Sequence, residues 1–314
     1  MARKTSDLRF GKRQLIVLLV LALSIYVIVP QLGSFRSSLH ILRQLQITSF
    51  LLALGLTVVS YGCATATYCF LARKPLHYGR TLLAQLASLF VNRLLPAGSG
   101  ALSVNYLYLR RQKHTPTQAA AVVSMNNLLG LAGHLALFLL LVLFTRQSLS
   151  SAASHWRLTS LQVAILTVLV LCVIGAALRW KRQVAKALRS FAHELGTYRS
   201  QPERLVLALL SSAAVTVCTV GTLHYALLAI GVQMSLLKLF VIFSVGIGVG
   251  AVTPTPGGLG GLEAGLVAGL VAEHVSDSQA VAGVLLYRLL NYWFGFIIGA
   301  LAFAMVRQRQ LLNI

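Results

Sequence analysis

The chain has 314 residues, 57% of them hydrophobic and only 11% charged, with a mean hydropathy of +0.79. Soluble domains carry roughly 25% charged residues, so a water-soluble fold is excluded, and no polar stretch is long enough to form a separate catalytic domain. The net charge of +21 would suit a nucleic-acid partner, but the cations cluster between apolar runs rather than on one polar face, and no nucleic-acid partner is expected.

A helix needs about 20 apolar residues to cross a ~30 Å hydrocarbon core. Runs of that kind place full spans at about 14–30, 47–71, 117–145, 159–178, 205–231 and 279–306. The first run follows five Lys and Arg in 3–13 and is succeeded by VPQLGS, which lacks a small-x-small cleavage site. It reads as an uncleaved signal anchor.

With the N-terminus in the cytoplasm, 20 of the 27 Lys and Arg fall on that side: five in 3–13, three in 73–80, three in 110–113, seven in 179–204, and Arg307 and Arg309. Five fall opposite (Arg36, Arg43, Arg146, Arg157 and Lys238), and Arg93 and Arg288 lie inside apolar segments. This asymmetry is what the positive-inside rule produces. It predicts a multi-pass protein of the cytoplasmic (inner) membrane with both termini cytoplasmic. Cys63, Cys69, Cys172 and Cys218 all fall in expected spans without a CxxC pair and read as small packing residues.

Two apolar segments do not fit the list of spans. Residues 76–112 begin and end in basic residues yet are broken by LLPAGSG at 94–100. Residues 235–275 begin and end on the other side and are broken by TPTPGGLGGLE at 253–263. Proline ends an incoming helix and glycine allows the backbone to turn, so each segment is expected to be a re-entrant hairpin of two half-helices. Such backbone is tolerated at membrane depth only where protein or a wet cavity surrounds it. The outgoing half-helices would start near 101 and 261, with unpaired amides suited to an anion.

The two segments also align with each other. Pro96, Gly98 and Gly100 superimpose on Pro256, Gly258 and Gly260 at an offset of 160. Repeat 1 then covers about 76–145 and repeat 2 about 235–306, in opposite topology, the inverted-repeat design of many transporters. The expected fold is an all-α polytopic membrane protein, one transmembrane domain over 1–314, with about six full spans and two oppositely oriented re-entrant hairpins. Gly265 and Gly269 continue a four-residue small stripe that suits close helix packing, while Gly257, Gly258 and Gly260 suit the turn. No Lys follows the glycines, which excludes a phosphate-binding P-loop. Between the repeats, residues 180–199 set Trp180, Val184, Leu188, Phe191 and Leu195 against Lys181, Arg182, Lys186 and Arg189, an amphipathic helix for the cytoplasmic surface.

The sequence PTPGGLGGLE followed by LLYRLLNYW resembles the signature of the lysylphosphatidylglycerol synthase/flippase transmembrane superfamily. The resemblance runs over nearly the whole chain and is strongest at 253–293. It implies that Glu263 and Arg288 match the charged positions of the family motif. Repeat 1 departs from that pattern, because Ala101, Asn105 and Asn126-Asn127 stand where members often carry acids and arginines. No aminoacyltransferase domain accompanies the membrane part, so synthesis of aminoacylated lipid is not expected.

Glu263 is the one carboxylate that falls in an expected hydrocarbon region, where an ionised side chain costs ~2.5–3.5 kcal/mol. It either forms a purely structural ion pair with Arg288 or orients an anionic headgroup that an arginine holds. His134 and His224, also in spans, read as packed polar residues or as members of a proton relay. The candidate substrate-binding set is Arg288, Glu263, Arg93, Gly257, Gly258, Gly260, Pro256, Pro96, Gly98, Gly100, Asn127 and Tyr287. There is no HExxH, no carboxylate pair and no nucleophile–histidine constellation, so an intramembrane transferase is disfavoured and neither cofactor nor metal is called for. The expected function is a flippase-like transporter of an anionic or lipid-linked headgroup. The alternative is a non-transporting accessory that presents a lipid to a biosynthetic enzyme partner.

Overall fold

The computed structural model describes residues 45–95, 99–144, 196, 201–253 and 255–308. The first and fourth expected spans, Cys172 and, apart from Gly196, the amphipathic segment 180–199 lie outside these residues. Among the described residues, all regular structure is helical. The helices are α1 (Ile47–Leu71), α2 (Tyr78–Leu94), α3 (Ser99–Arg111), α4 (Pro116–Phe144) and α5 (Pro202–Ala229). They continue with α6 (Leu236–Val252), α7 (Gly261–Ala272), α8 (Asp277–Arg288) and α9 (Gly295–Gln308), the last two joined by a π-helical stretch, Leu289–Phe294.

Four described stretches are long and apolar enough to cross a membrane: Ile47–Leu71, Pro116–Leu141, Pro202–Ala229 and Asp277–Gln308. They coincide within four residues at either end with four of the expected spans. Only 22–33% of their most apolar windows is buried. Rows such as Leu131, Leu135 and Leu139 on α4 are exposed at the four-residue spacing of one helix face, the arrangement hydrocarbon stabilises and water does not. The protein is a multi-pass membrane protein.

The described chain divides into two compact units. One takes the residues up to Thr57, then Leu86–Ser103 and Val220–Phe303. In it α6 and α7 pack antiparallel, with Gly246 against Leu266, Gly250 against Leu262 and Gly269 against Ile242. A β-carbon on Gly246 would come within 2.8 Å of Leu266, and one on Gly269 within 2.7 Å of Ile242. The small residues are therefore what allows the two backbones to approach, as expected for Gly265 and Gly269. Leu266 and Leu270 are fully buried, with Leu239, Ile242 and Phe243 packed into the same core. The outer ends of the two helices are tied by Lys238 and Glu273 at 2.6 Å.

The other unit takes Val58–Gln85, Val104–Thr219 and the described residues from Ala304 onward. Tyr68, Leu71, Leu109, Val122, Met125 and Leu129 form its core. A β-carbon on Gly133 would meet Ala213 at 3.3 Å, so this glycine brings α4 close to α5. The end of α3 is closed by His114 N–H donating to the Leu109 carbonyl and Lys113 N–H to the Arg110 carbonyl, with Lys113 in the left-handed region at φ 61°. This is the 6→1 and 5→2 pattern that satisfies terminal carbonyls. The buried His114 side chain accepts a hydrogen bond from Lys74 N–H at 3.4 Å, Lys74 Nζ donates to the Lys113 carbonyl, and Arg110 donates to the His114 carbonyl. Burial lowers the His114 pKa from its ordinary 6.5, and the nearby Lys74 charge adds to the effect.

Candidate functional site

The break between α6 and α7 is built by residues that cannot continue a helix. After Val252 the chain leaves helical geometry, and Pro256–Gly258 form a single 3-10 turn. Gly257, Gly258 and Gly260 have φ of 64°, 66° and 85°, the left-handed region that a β-carbon disfavours. Threonines stitch the turn: Thr253 Oγ1 donates to the Val249 carbonyl and Thr255 Oγ1 to the Leu259 carbonyl, each at 2.7 Å. The turn assignment of these three glycines from sequence corresponds to the backbone found.

Glu263 then closes the start of α7. Its Oε2 accepts the Gly260 N–H at 2.9 Å, while Oε1 accepts Arg288 Nε at 2.5 Å. One carboxylate therefore both caps the outgoing helix and compensates an arginine whose side chain is only 8% exposed. The ion pair weighed from sequence is formed. It does not use the whole guanidinium: Arg288 Nη2 is buried and has no hydrogen-bond partner among the described residues. Leaving a buried donor of a charged group unpaired costs about 1–3 kcal/mol or more.

Tyr292 completes the cluster. Arg288 Cζ lies 4.6 Å and Arg93 Cζ 4.8 Å from its ring centroid, both at cation–π distance. The ring packs on Gly257, where a β-carbon would come within 2.6 Å of it. Arg93 Nη1 donates to the Leu89 carbonyl and Nη2 to the Asn291 carbonyl at 2.8 Å. Asn291 belongs to the π stretch, where the regular i→i−4 ladder is interrupted and a carbonyl is available to an outside donor. Two arginines and one glutamate give this cluster +2 − 1 = +1.

The structure thus brings Glu263, Arg288, Arg93 and Gly257 of the candidate set together. Gly258 and Gly260 shape the same turn, and Pro256 opens it. Tyr287 is buried and packs edge-on against Phe243 at 6.4 Å. Gly100 sits where a β-carbon would strike the Val91–Asn92 backbone, so the α2–α3 turn depends on it. Pro96 and Gly98 lie outside the described residues. Asn127 belongs to the second unit, where its amide donates to the Val123 carbonyl of its own helix.

Residues not singled out from sequence also matter. Tyr292 stands four positions after Arg288, a spacing that puts two side chains on one helix face and gave a usable signal. Asn92 Oδ1 accepts the Ala101 N–H at 3.2 Å, so it caps α3 from the preceding helix.

The chain matches the family model "Lysylphosphatidylglycerol synthase TM region" over residues 14–299. It belongs to this family. The family is a membrane region linked to lipid handling. A curated relative is the inner membrane protein YbhN of Escherichia coli (strain K12), 23% identical over 278 residues that cover 86% of this chain and 83% of the relative. The match spans the TPGGLGGLE turn and its charged partners.

Proposed function

We propose that this protein is a flippase-like transporter of the cytoplasmic membrane that passes an anionic, phosphate-bearing lipid headgroup across the bilayer, with both termini cytoplasmic. In this reading α2–α3 and α6–α7 are the two re-entrant hairpins, entering from opposite faces, and the headgroup is held at the α6–α7 turn. The observation that carries it is Arg288 Nη2, buried and unpartnered beside the start of α7. A phosphate oxygen satisfies that donor, and the cluster's net positive charge favours an anion over a cation. The arginine fork suits phosphate geometry in a way a lysine ammonium does not. The inner-membrane location of YbhN and the lipid association of the family support the same assignment.

The test uses phosphatidylcholine proteoliposomes holding a trace of acyl-labelled phosphatidylglycerol, with dithionite quenching as the readout of flipping. Arg288→Lys is expected to slow flipping roughly ten-fold, equivalent to about 1.4 kcal/mol, while leaving expression near normal. Glu263→Gln should impair flipping less than Arg288→Ala. Binding of the lipid without flipping by the unmodified protein would instead identify an accessory that presents lipid to an enzyme.

A further inference from the structure

The elbow between α5 and α6 carries a concavity of about 360 Å3, lined by His224 and Leu228 from the last turns of α5 and by Gln233, Met234 and Ser235 from the connection. None of these residues belongs to the Glu263–Arg288 cluster. The end of α5 is closed by backbone hydrogen bonds. Gly231, at φ 81°, ends α5, with Gly231 N–H donating to the Leu228 carbonyl and Val232 N–H to the Leu227 carbonyl. The Ala229 carbonyl accepts Gln46 N–H.

What remains unused is side-chain capacity. Ser235 stands at the N-cap of α6, yet its hydroxyl makes no capping hydrogen bond. Among the described residues, no side-chain hydrogen bond engages His224 or Gln233. An imidazole, a carboxamide and a hydroxyl each present a donor and an acceptor. Among the described residues, no Lys, Arg, Asp or Glu lines the concavity, and Lys238, the closest charged residue in sequence, is committed to Glu273. Neither an anion nor a cation finds a charged side chain among these lining residues. Hydroxyl groups, which donate and accept together, match all three polar side chains, while Leu228 and Met234 offer an apolar wall for a C–H face. Gln233 and Ser235 are exposed, so the concavity is reachable from outside the protein.

We propose that this elbow is a binding site for an uncharged polyhydroxyl group, a glycerol or hexose moiety, borne by a membrane lipid or free in solution. The test places the whole protein in phosphatidylcholine nanodiscs containing a few per cent of monoglucosyl diacylglycerol, and reads retained lipid by native mass spectrometry. A parallel arm offers methyl glucoside and reads saturation-transfer NMR.

The unmodified protein should retain glucolipid in preference to phosphatidylcholine. The double variant Gln233→Leu with Ser235→Ala should lower that preference roughly ten-fold or more, the effect of losing two neutral hydrogen bonds. Melting behaviour reports that this variant, altered only at exposed positions, still folds. Arg288→Lys should leave retention unchanged, which separates this site from the transport site. Retention of glucolipid without a methyl glucoside signal supports the lipid-borne ligand, and both signals together support recognition of the sugar itself. Retention equal to that of phosphatidylcholine, or preference that survives the double variant, overturns the proposal.

Discussion

The two hairpins solve one problem by different chemistry. Each must satisfy the first amides of an outgoing helix after a glycine-rich break. In α2–α3 the cap comes from the incoming leg, as the neutral carboxamide of Asn92. The legs are further joined by Thr81 with Tyr108 at 2.9 Å and by buried Gln85 donating to Asn105 at 2.7 Å. In α6–α7 the cap comes from the outgoing helix itself, as the carboxylate of Glu263, and the legs meet through glycine and aliphatic carbon. A neutral cap needs no counter-ion. A charged cap draws in Arg288, and with it a donor that the protein leaves unused. The difference is one of charge: one hairpin is joined by neutral polar groups, and the other leaves a buried guanidinium donor over.

The largest expected effect tests whether that charged cap is only structural. Glu263→Leu removes the cap and leaves Arg288 as an uncompensated buried charge, which should destabilise the protein by about 3–5 kcal/mol, read as a lowered melting temperature in detergent. Combining Glu263→Gln with Arg288→Leu should recover most of the stability but not the flipping activity. Recovery of both would reduce the pair to a fastener.

Next in size is the turn. Gly258→Val and Gly260→Val place a β-branched residue at positive φ and should cost about 1–3 kcal/mol. Gly258 has the Gly250 carbonyl 3.1 Å from where a β-carbon would sit. Gly269→Ala, at ordinary helical φ, should cost less. Equal effects from all three variants would mean that the turn imposes no special backbone.

The ladder of α2–α3 gives a matched control. Gln85→Leu alone strands the buried Asn105 amide and should lower stability by about 1–3 kcal/mol. Adding Asn105→Leu should restore much of it, and flipping should persist in the double variant. A flipping defect there with normal stability would show that the neutral hairpin also touches substrate.

The smallest effect is expected at His114. Its native pKa lies below the ordinary 6.5, so the folded state binds a proton less readily than the unfolded chain. The stability it contributes is fully present above about pH 6.5 and is lost as the pH falls from there toward the depressed native value. The melting temperature should therefore decline as the pH is lowered, and His114→Gln should flatten that part of the curve.

Much of this was legible in the sequence, because breaks in apolar helices have local signatures. Proline and glycine in TPTPGGLGGLE mark the turn and its left-handed residues without reference to any distant residue, whereas the capping role of Glu263 was not read from sequence. Arg288 was legible because an arginine in an apolar run calls for a partner. The Gln85–Asn105 bond was missed, although the two residues stand equally far from the break at 95 and so face each other when the hairpin closes. The Asn92 cap, the Arg93–Asn291 bond and the π stretch left less trace. Each depends on how one helix lies against another, and an asparagine in an apolar helix looks the same whichever neighbour it serves.

The π stretch has a further consequence, for the reading frame of the helix that follows. Phe296, Gly299 and Phe303 recur at three and four residues, on one face of α9. Phe90 meets both phenylalanine rings, at 5.0 and 5.7 Å, and Gly299 admits the Leu86 carbonyl. A wide turn accommodates one residue more than an α-turn. Deleting Leu289 would therefore return the stretch to ordinary α pitch with the Phe296–Gly299–Phe303 face still toward Phe90, whereas deleting a residue from the regular part of α8 would rotate everything after it by about 100°. The wide turn therefore absorbs one residue of length between Arg288 and Phe296 without changing the face that α9 turns to Phe90.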